Sequence, residues 1–169
     1  PGDTLELPAS LGFVYQIAAG PRGTVVAGGT SVAWSTDGLH FADAARGPNA
    51  PRSETSGADA VNTVSIGPVF ATQNGFVALV PSRDAPWGGP FPEPVPWFSA
   101  DGSRWNPVAS ESPFGMGASV FDVAAHDGRY VALGREAVWV SDDGLSWERL
   151  PALESPEACE PGACMLQLV

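Results

Sequence analysis

Three carboxylates recur in one local setting and are the groups of this chain most readily placed for chemistry. Asp37, Asp101 and Asp143 each stand two residues after a serine and directly before a glycine, in Ser35-Thr36-Asp37-Gly38, Ser99-Ala100-Asp101-Gly102 and Ser141-Asp142-Asp143-Gly144. A carboxylate so placed can ligate a cation, for which Asp142 and Asp143 are the best pair. It can also accept the backbone N–H groups just after it and lock a tight turn. Calcium takes six or more oxygens, and no dense Asp-x-Asp-x-Asp run supplies them. The clamp is therefore the expected role, and no metal or other cofactor is assigned.

Groups suited to catalysis are sparse. His126 falls in a His-Asp-Gly turn and is expected in solvent, while Tyr15 and Tyr130 fall in strand-like runs and read as core residues. No Gly-x-Ser-x-Gly elbow and no phosphate loop is present. Two carboxylates could meet in space as an acid–base pair, yet nothing in the spacing selects them, so no catalytic residue is named. The two cysteines, Cys159 and Cys164, enclose Glu-Pro-Gly-Ala, a turn sequence able to bring the sulfurs together. Zinc needs about four ligands, and the histidines lie far off in sequence. A disulfide in an oxidising compartment is expected, a reduced pair being the alternative.

One segment suits recognition. Residues 84–96 set Trp87 and Phe91 among prolines and run directly into Trp97. Proline stiffens extended backbone at low entropic cost, and aromatics on a rigid loop suit sugar stacking or a protein partner. The plain alternative is a loop folded back over its own strands.

Composition narrows the classes. The net charge is −11 and every basic residue is an arginine, eight in all and scattered. Nucleic-acid binding rests on clustered Lys and Arg and is set aside. No apolar run is long enough to span a bilayer. Pro1-Gly2-Asp3 has no initiator Met and no signal-like segment after it, so it reads as a processed or trimmed start. The 20 glycines and 17 prolines approach a disordered composition, but six Trp and eight Phe beside β-branched runs argue for short strands and tight turns.

Those strands must hold the three carboxylates. Each Ser-x-Asp-Gly turn belongs to a heptad closed by an aromatic residue, Phe41, Trp105 or Trp147, and each follows an aromatic strand around Trp34, Trp97 or Trp139. Upstream, Val14-Tyr15-Gln16-Ile17, Val69-Phe70-Ala71 and Val120-Phe121-Asp122-Val123 each lead through a Gly-containing turn into Thr24-Val25-Val26-Ala27, Phe76-Val77-Ala78-Leu79 and Tyr130-Val131-Ala132-Leu133. Each unit reads strand, turn, strand, loop, strand, heptad, strand. That is one four-stranded antiparallel blade of a β-propeller. Asp101 and Asp143 lie 42 residues apart, whereas Asp37 and Asp101 lie 64 apart. The surplus falls in two polar insertions, residues 46–57 and 84–96.

The heptads resemble the Asp-box (BNR) repeats of sialidases, sortilin-type receptors and photosystem assembly factors. They are one residue shorter than the usual family pattern and lack its threonine. The resemblance implies an all-β propeller with blades at about 12–46, 61–110 and 118–151. Residues 1–11 and 152–169 would be partial flanking blades, with Thr4–Ser10 the last strand of a preceding blade. It also implies structural roles for Ser35, Asp37, Gly38 and Phe41, for Ser99, Asp101, Gly102 and Trp105, and for Ser141, Asp143, Gly144 and Trp147. The sialidase site has an arginine triad and a Tyr-Glu pair, and its Arg-Ile-Pro motif is absent here.

The expected function is a noncatalytic binding or scaffold propeller in the extracytoplasmic space, with a protein or glycan partner. The alternatives are part of a glycoside hydrolase or an accessory subunit of a large assembly. Three blades do not close a ring, so further blades are expected from the same polypeptide, which is favoured, or from another chain. Thiol titration of the unreduced, unfolded protein is expected to find no free cysteine, and two free thiols would contradict the Cys159–Cys164 pairing.

Overall fold

The structure, a computed structural model, describes residues 4–28, 31–45, 47–48, 66–81, 93–108, 112–115, 118–135 and 137–151. Among them the chain is all-β, with one 3-10 turn at Ala9–Leu11 and twelve strands in three four-stranded antiparallel sheets. The first sheet holds β1 (Val14–Gly20), β2 (Gly23–Gly28), β3 (Ser31–Ser35) and β4 (Ala42–Asp43). The second holds β5 (Val69–Ala71), β6 (Phe76–Pro81), β7 (Pro94–Ser99) and β8 (Asn106–Pro107). The third holds β9 (Val120–His126), β10 (Arg129–Gly134), β11 (Val138–Ser141) and β12 (Glu148–Arg149). Strands neighbour one another in chain order throughout. No helix among the described residues is long and apolar enough to cross a membrane.

Local chemistry explains the meander. The β9–β10 hairpin turns on Asp127 and Gly128, both at positive φ (49° and 77°), the backbone that matches a tight turn to strand twist. The second strand of each sheet then decides the packing. In β6, Phe76-Val77-Ala78-Leu79-Val80 is apolar without a break because both of its faces are covered. Phe76, Ala78 and Val80 cluster with Ala18, Val25, Ala27 and Val32 of the first sheet and with Ile66, Val69 and Trp105. Val77, Leu79 and Phe70 cluster with Tyr130, Ala132, Trp139 and Trp147 of the third sheet and with Phe114. The second sheet thus lies between the other two.

The registers make positions equivalent from sheet to sheet. Val25 pairs with Trp34, Val77 with Phe98 and Val131 with Val140. Val25 and Ala27 meet the second sheet, and Val77 and Leu79 meet the third. Val131 and Leu133 alternate with the buried Tyr130 and Ala132, point away from the second sheet and are 39% and 53% exposed.

β1 and β9 each carry a bulge, at Tyr15 and at Phe121. The extra residue re-aims its neighbours. The Tyr15 hydroxyl donates to the Ile66 carbonyl, and Gln16 Oε1 accepts the Val69 N–H at 2.7 Å. Both bonds tie the first sheet to the second. Tyr15 is thus no core residue as its strand position suggested: it is 38% exposed and works as a strut. Burial pushes its phenol up to about 12. Tyr130 is buried, as expected.

The N-terminal segment differs from its reading as a strand. Glu6 forms an isolated parallel bridge with His40, and Pro8, which has no N–H to extend a ladder, precedes the 3-10 turn. Leu11 then packs with Phe41 over Val26 and Ala33.

Gly102 gives a direct test of sheet packing. Its φ is +89°, and a Cβ there would sit 2.7 Å from Val25 Cγ2 and 2.8 Å from Trp34 Cβ. Gly38 has the same left-handed backbone, but its nearest neighbour would be Thr24 Oγ1 at 3.9 Å. Gly38→Ala should cost about 1–2 kcal/mol from backbone strain alone. Gly102→Ala should cost about 2–5 kcal/mol because overpacking adds to that strain. Urea unfolding of the two variants compares them, and equal losses would contradict the packing.

Candidate functional site

The three Ser-x-Asp-Gly turns join the third strand to the fourth in every sheet. Each begins at a buried serine: Ser35, Ser99 and Ser141 are 2%, 1% and 5% exposed. A hydroxyl buried at a strand end must find partners, and the turn supplies them. Ser35 Oγ accepts the N–H groups of Asp37 (3.2 Å) and Gly38 (2.9 Å) and donates to Asp37 Oδ1 (2.8 Å). Ser141 Oγ repeats the set with Asp143 N–H (3.3 Å), Gly144 N–H (2.8 Å) and Asp143 Oδ1 (3.0 Å). Ser99 Oγ accepts the Gly102 N–H at 2.9 Å.

The carboxylates continue each turn. Asp37 Oδ1 accepts the amides of Leu39 (2.8 Å) and His40 (2.9 Å), while Oδ2 faces His40 Nδ1 at 2.7 Å. Asp143 Oδ1 accepts the amides of Leu145 and Ser146, both at 2.7 Å. Asp101 Oδ1 takes the Ser103 hydroxyl (2.7 Å) and amide (2.8 Å). The glycine that follows lies at φ 76°, 89° and 77° in turn, a region costly for any residue with a Cβ.

These bonds fix protonation. The amide and imidazole of His40, with the Leu39 amide and the Ser35 hydroxyl, hold the Asp37 carboxyl far below the ordinary carboxylate range. The hydroxyl and amide of Ser103 lower Asp101. At Asp143, burial pushes upward but is outweighed by the amides of Ser146 and Leu145 and the Ser141 hydroxyl. The Asp37 carboxylate in turn raises His40 above its ordinary value through the hydrogen bond and its charge.

The aromatic that closes the second and third heptads is aimed at the preceding sheet. Trp105 is fully buried against the first sheet, and its Nε1–H donates to the Gly102 carbonyl at 2.9 Å. Trp147 packs edge-on to Phe70 of the second sheet with centroids 6.1 Å apart. Its buried Nε1 has no partner among the described residues. Phe41 rests with Leu11 instead.

Asp142 and Asp143 do not converge on a common point. Asp143 is turned into its own backbone, while Asp142 Oδ1 meets Arg129 Nε at 3.3 Å on the exposed surface. Among the described residues no three His, Cys, Asp or Glu side chains gather in a metal-binding group. His126 is in solvent, its side chain 93% exposed beside Asp127. Trp97 lies in β7, partly buried against the cluster shared by the first two sheets. Trp87, Phe91, Cys159 and Cys164 lie outside the described residues.

Sequence reasoning named the serines as structural without giving their hydroxyls a part, and it missed Gln16. The serine hydroxyl, and not the carboxylate alone, is the centre of each turn, and its signal was the invariable placing of Ser at the end of a strand. Gln16 was passed over as a strand residue, although a lone amide in an apolar run needs a polar partner. Comparison with known proteins finds no matching family model, no matching curated protein and no matching solved structure.

The turns should respond to pH with a fixed sign. Each aspartate is lowered on folding, so its contribution is complete above about pH 4 and fades as pH falls through the lower folded values. Asp143 is exposed, and water replaces part of what Asp143→Ala removes, so that variant should lose about 1 kcal/mol at pH 7. Ser141→Ala, which strands buried amides, should lose about 1–3 kcal/mol. Urea unfolding at pH 7 and pH 3 should show the Asp143→Ala deficit shrinking at low pH and the Ser141→Ala deficit persisting.

Proposed function

We propose that this chain is part of an Asp-box-type β-propeller acting as a noncatalytic binding or scaffold module, with a protein or glycan partner, in the extracytoplasmic space. Three sheets of four antiparallel strands carry the same heptad at the same point of the meander. In the second and third, the aromatic residue and the glycine of the turn bear on the preceding sheet. A sheet repeated with a constant relation to its neighbour is how propeller blades are arranged.

One observation carries the noncatalytic reading: the repeated aspartates use their oxygens on the amides and hydroxyls of their own turns. A general acid or base must reach a substrate proton, and a carboxylate held far below the ordinary range by its own backbone is poorly suited to either task. Recognition then falls to the connections. The 84–96 segment, with Trp87 and Phe91, is the first candidate, since aromatics stack on sugars and anchor protein interfaces.

A glycan array probed with the intact chain should give retention that the Trp87→Ala/Phe91→Ala double variant loses at an unchanged melting temperature. A sialoside reporter should not turn over above the buffer rate. Turnover that an Asp or Glu substitution abolishes would reverse the reading to an enzyme.

A further inference from the structure

Five glycines of this chain directly follow an aspartate or an asparagine, in Asp37-Gly38, Asn74-Gly75, Asp101-Gly102, Asp127-Gly128 and Asp143-Gly144. In every such pair the glycine nitrogen stands close to Cγ of the side chain before it. Attack of that nitrogen on Cγ closes a five-membered succinimide ring, and a glycine has no Cβ to obstruct the approach. The reaction needs two freedoms. The glycine N–H must be free of a partner, and the side chain must be able to fold back over its own backbone.

The three heptads deny both. The N–H groups of Gly38, Gly102 and Gly144 donate to the hydroxyls of Ser35, Ser99 and Ser141 at 2.9, 2.9 and 2.8 Å. The carboxylates of Asp37, Asp101 and Asp143 are held forward by the amides of Leu39, Ser103 and Leu145, at 2.8, 2.8 and 2.7 Å. A carboxylate is also a poor electrophile.

No serine clamps Asn74-Gly75. Asn74 is exposed in the turn between β5 and β6. The bonds that close this turn run from the Thr72 N–H (2.7 Å) and the Thr72 hydroxyl (3.2 Å) to the Gly75 carbonyl, and neither engages the Gly75 nitrogen. A side-chain amide can lose ammonia where a carboxylate has no such leaving group, and of the four asparagines only Asn74 precedes a glycine. Asp127-Gly128, in the β9–β10 turn with the Asp127 side chain 91% exposed, also lacks a serine clamp but offers only a carboxylate.

We propose that Asn74 is a modification site, deamidated without an enzyme while the heptad aspartates stay intact. The Gly75 nitrogen bonds to Asn74 Cγ and the Cγ–Nδ2 bond breaks. The amide nitrogen leaves as ammonia, carrying the proton that Gly75 gives up. Water then opens the succinimide, giving aspartate by attack at one carbonyl and isoaspartate by attack at the other. Either product adds a negative charge to the −11 of the chain. Isoaspartate also routes the main chain through the former side chain and lengthens the turn by one atom. That turn sets the register of β5 on β6, and β6 is buried on both faces. The isoaspartyl form should therefore melt at a lower temperature than the unmodified chain.

Peptide mapping by mass spectrometry decides it, on the folded chain aged in warm neutral buffer beside a sample kept unfolded in urea. Fragmentation that separates isoaspartate from aspartate should place the exchange of an amide NH2 for OH on Asn74, with isoaspartate among the products. In the folded chain residues 37, 101 and 143 should stay unchanged, whereas in urea isoaspartate should appear at all three. The Asn74→Gln variant should keep, on ageing, the melting temperature that the parent chain loses. An Asn74 amide that survives in the folded chain while the unfolded chain loses it overturns the proposal, because the turn then shields it. Conversion of Asn49, Asn62 or Asn106 as fast as Asn74 overturns it too, as does isoaspartate at a heptad as fast in the folded chain as in urea.

Discussion

A serine hydroxyl buried at the end of the third strand is the point on which each sheet turns. It cannot remain unpaired without costing about 1–3 kcal/mol, and the only donors within reach are the amides two and three residues on. Satisfying it from Asp37 and Gly38, or from Asp143 and Gly144, forces the chain back on itself and puts the glycine in the left-handed region. The carboxylate then absorbs the next amides, and the aromatic residue comes out aimed across the sheet face. A polar requirement worth a few kcal/mol therefore positions an apolar side chain whose burial is worth about as much again. The turn and the inter-sheet packing are one event.

That coupling explains why no sheet is sufficient alone. Phe76, Val77, Ala78 and Leu79 are all fully buried, a condition a single sheet cannot meet because successive side chains leave by opposite faces. The sheets are therefore layers of a series. The middle one is covered on both faces by its neighbours, the first by the second sheet and by Leu11 with Phe41, and the third, among the described residues, on one face. The bulges add direction: Tyr15 and Gln16 point only toward the following sheet, so the series has a head and a tail.

Much of this was legible because the signals were local. Asp-Gly at 127–128 dictates its own turn, and the Ser-x-Asp-Gly spacing is a hydrogen-bonding pattern written within four residues. The apolar run of β6 read as a strand, and the structure adds that both its faces are buried. What escaped reading depended on distance. Tyr15 looked like core because its strand alternates, but a bulge, which leaves no mark in composition, swings it toward Ile66. Thr4–Ser10 resembled a strand by likeness to residues 147–153, yet Pro8 ends the ladder after the bridge at Glu6. Asp142 and Asp143 were the best-placed pair for a cation, although the clamp was the expected role. Adjacent residues at a turn diverge, so one carboxylate serves the backbone and the other meets Arg129.

The rigidity of the heptad also bears on where a binding function can reside. A residue added between Ser35 and His40 would shift bonds that span two and three positions. Yet Asp37 and Asp101 stand 22 residues further apart than Asp101 and Asp143. A surface connection absorbs such length cheaply, since doubling a flexible loop costs only about 0.6 kcal/mol of closure entropy. The fold thus separates two kinds of position. Residues in the turns and on the facing sheets are held by their own bonds and by mutual packing. Residues 46–57 and 84–96 carry the sequence by which the spacing of the heptads differs. Trp87 and Phe91 lie in the second of these connections, whereas Trp97, a few residues on, has already entered β7 and the shared core.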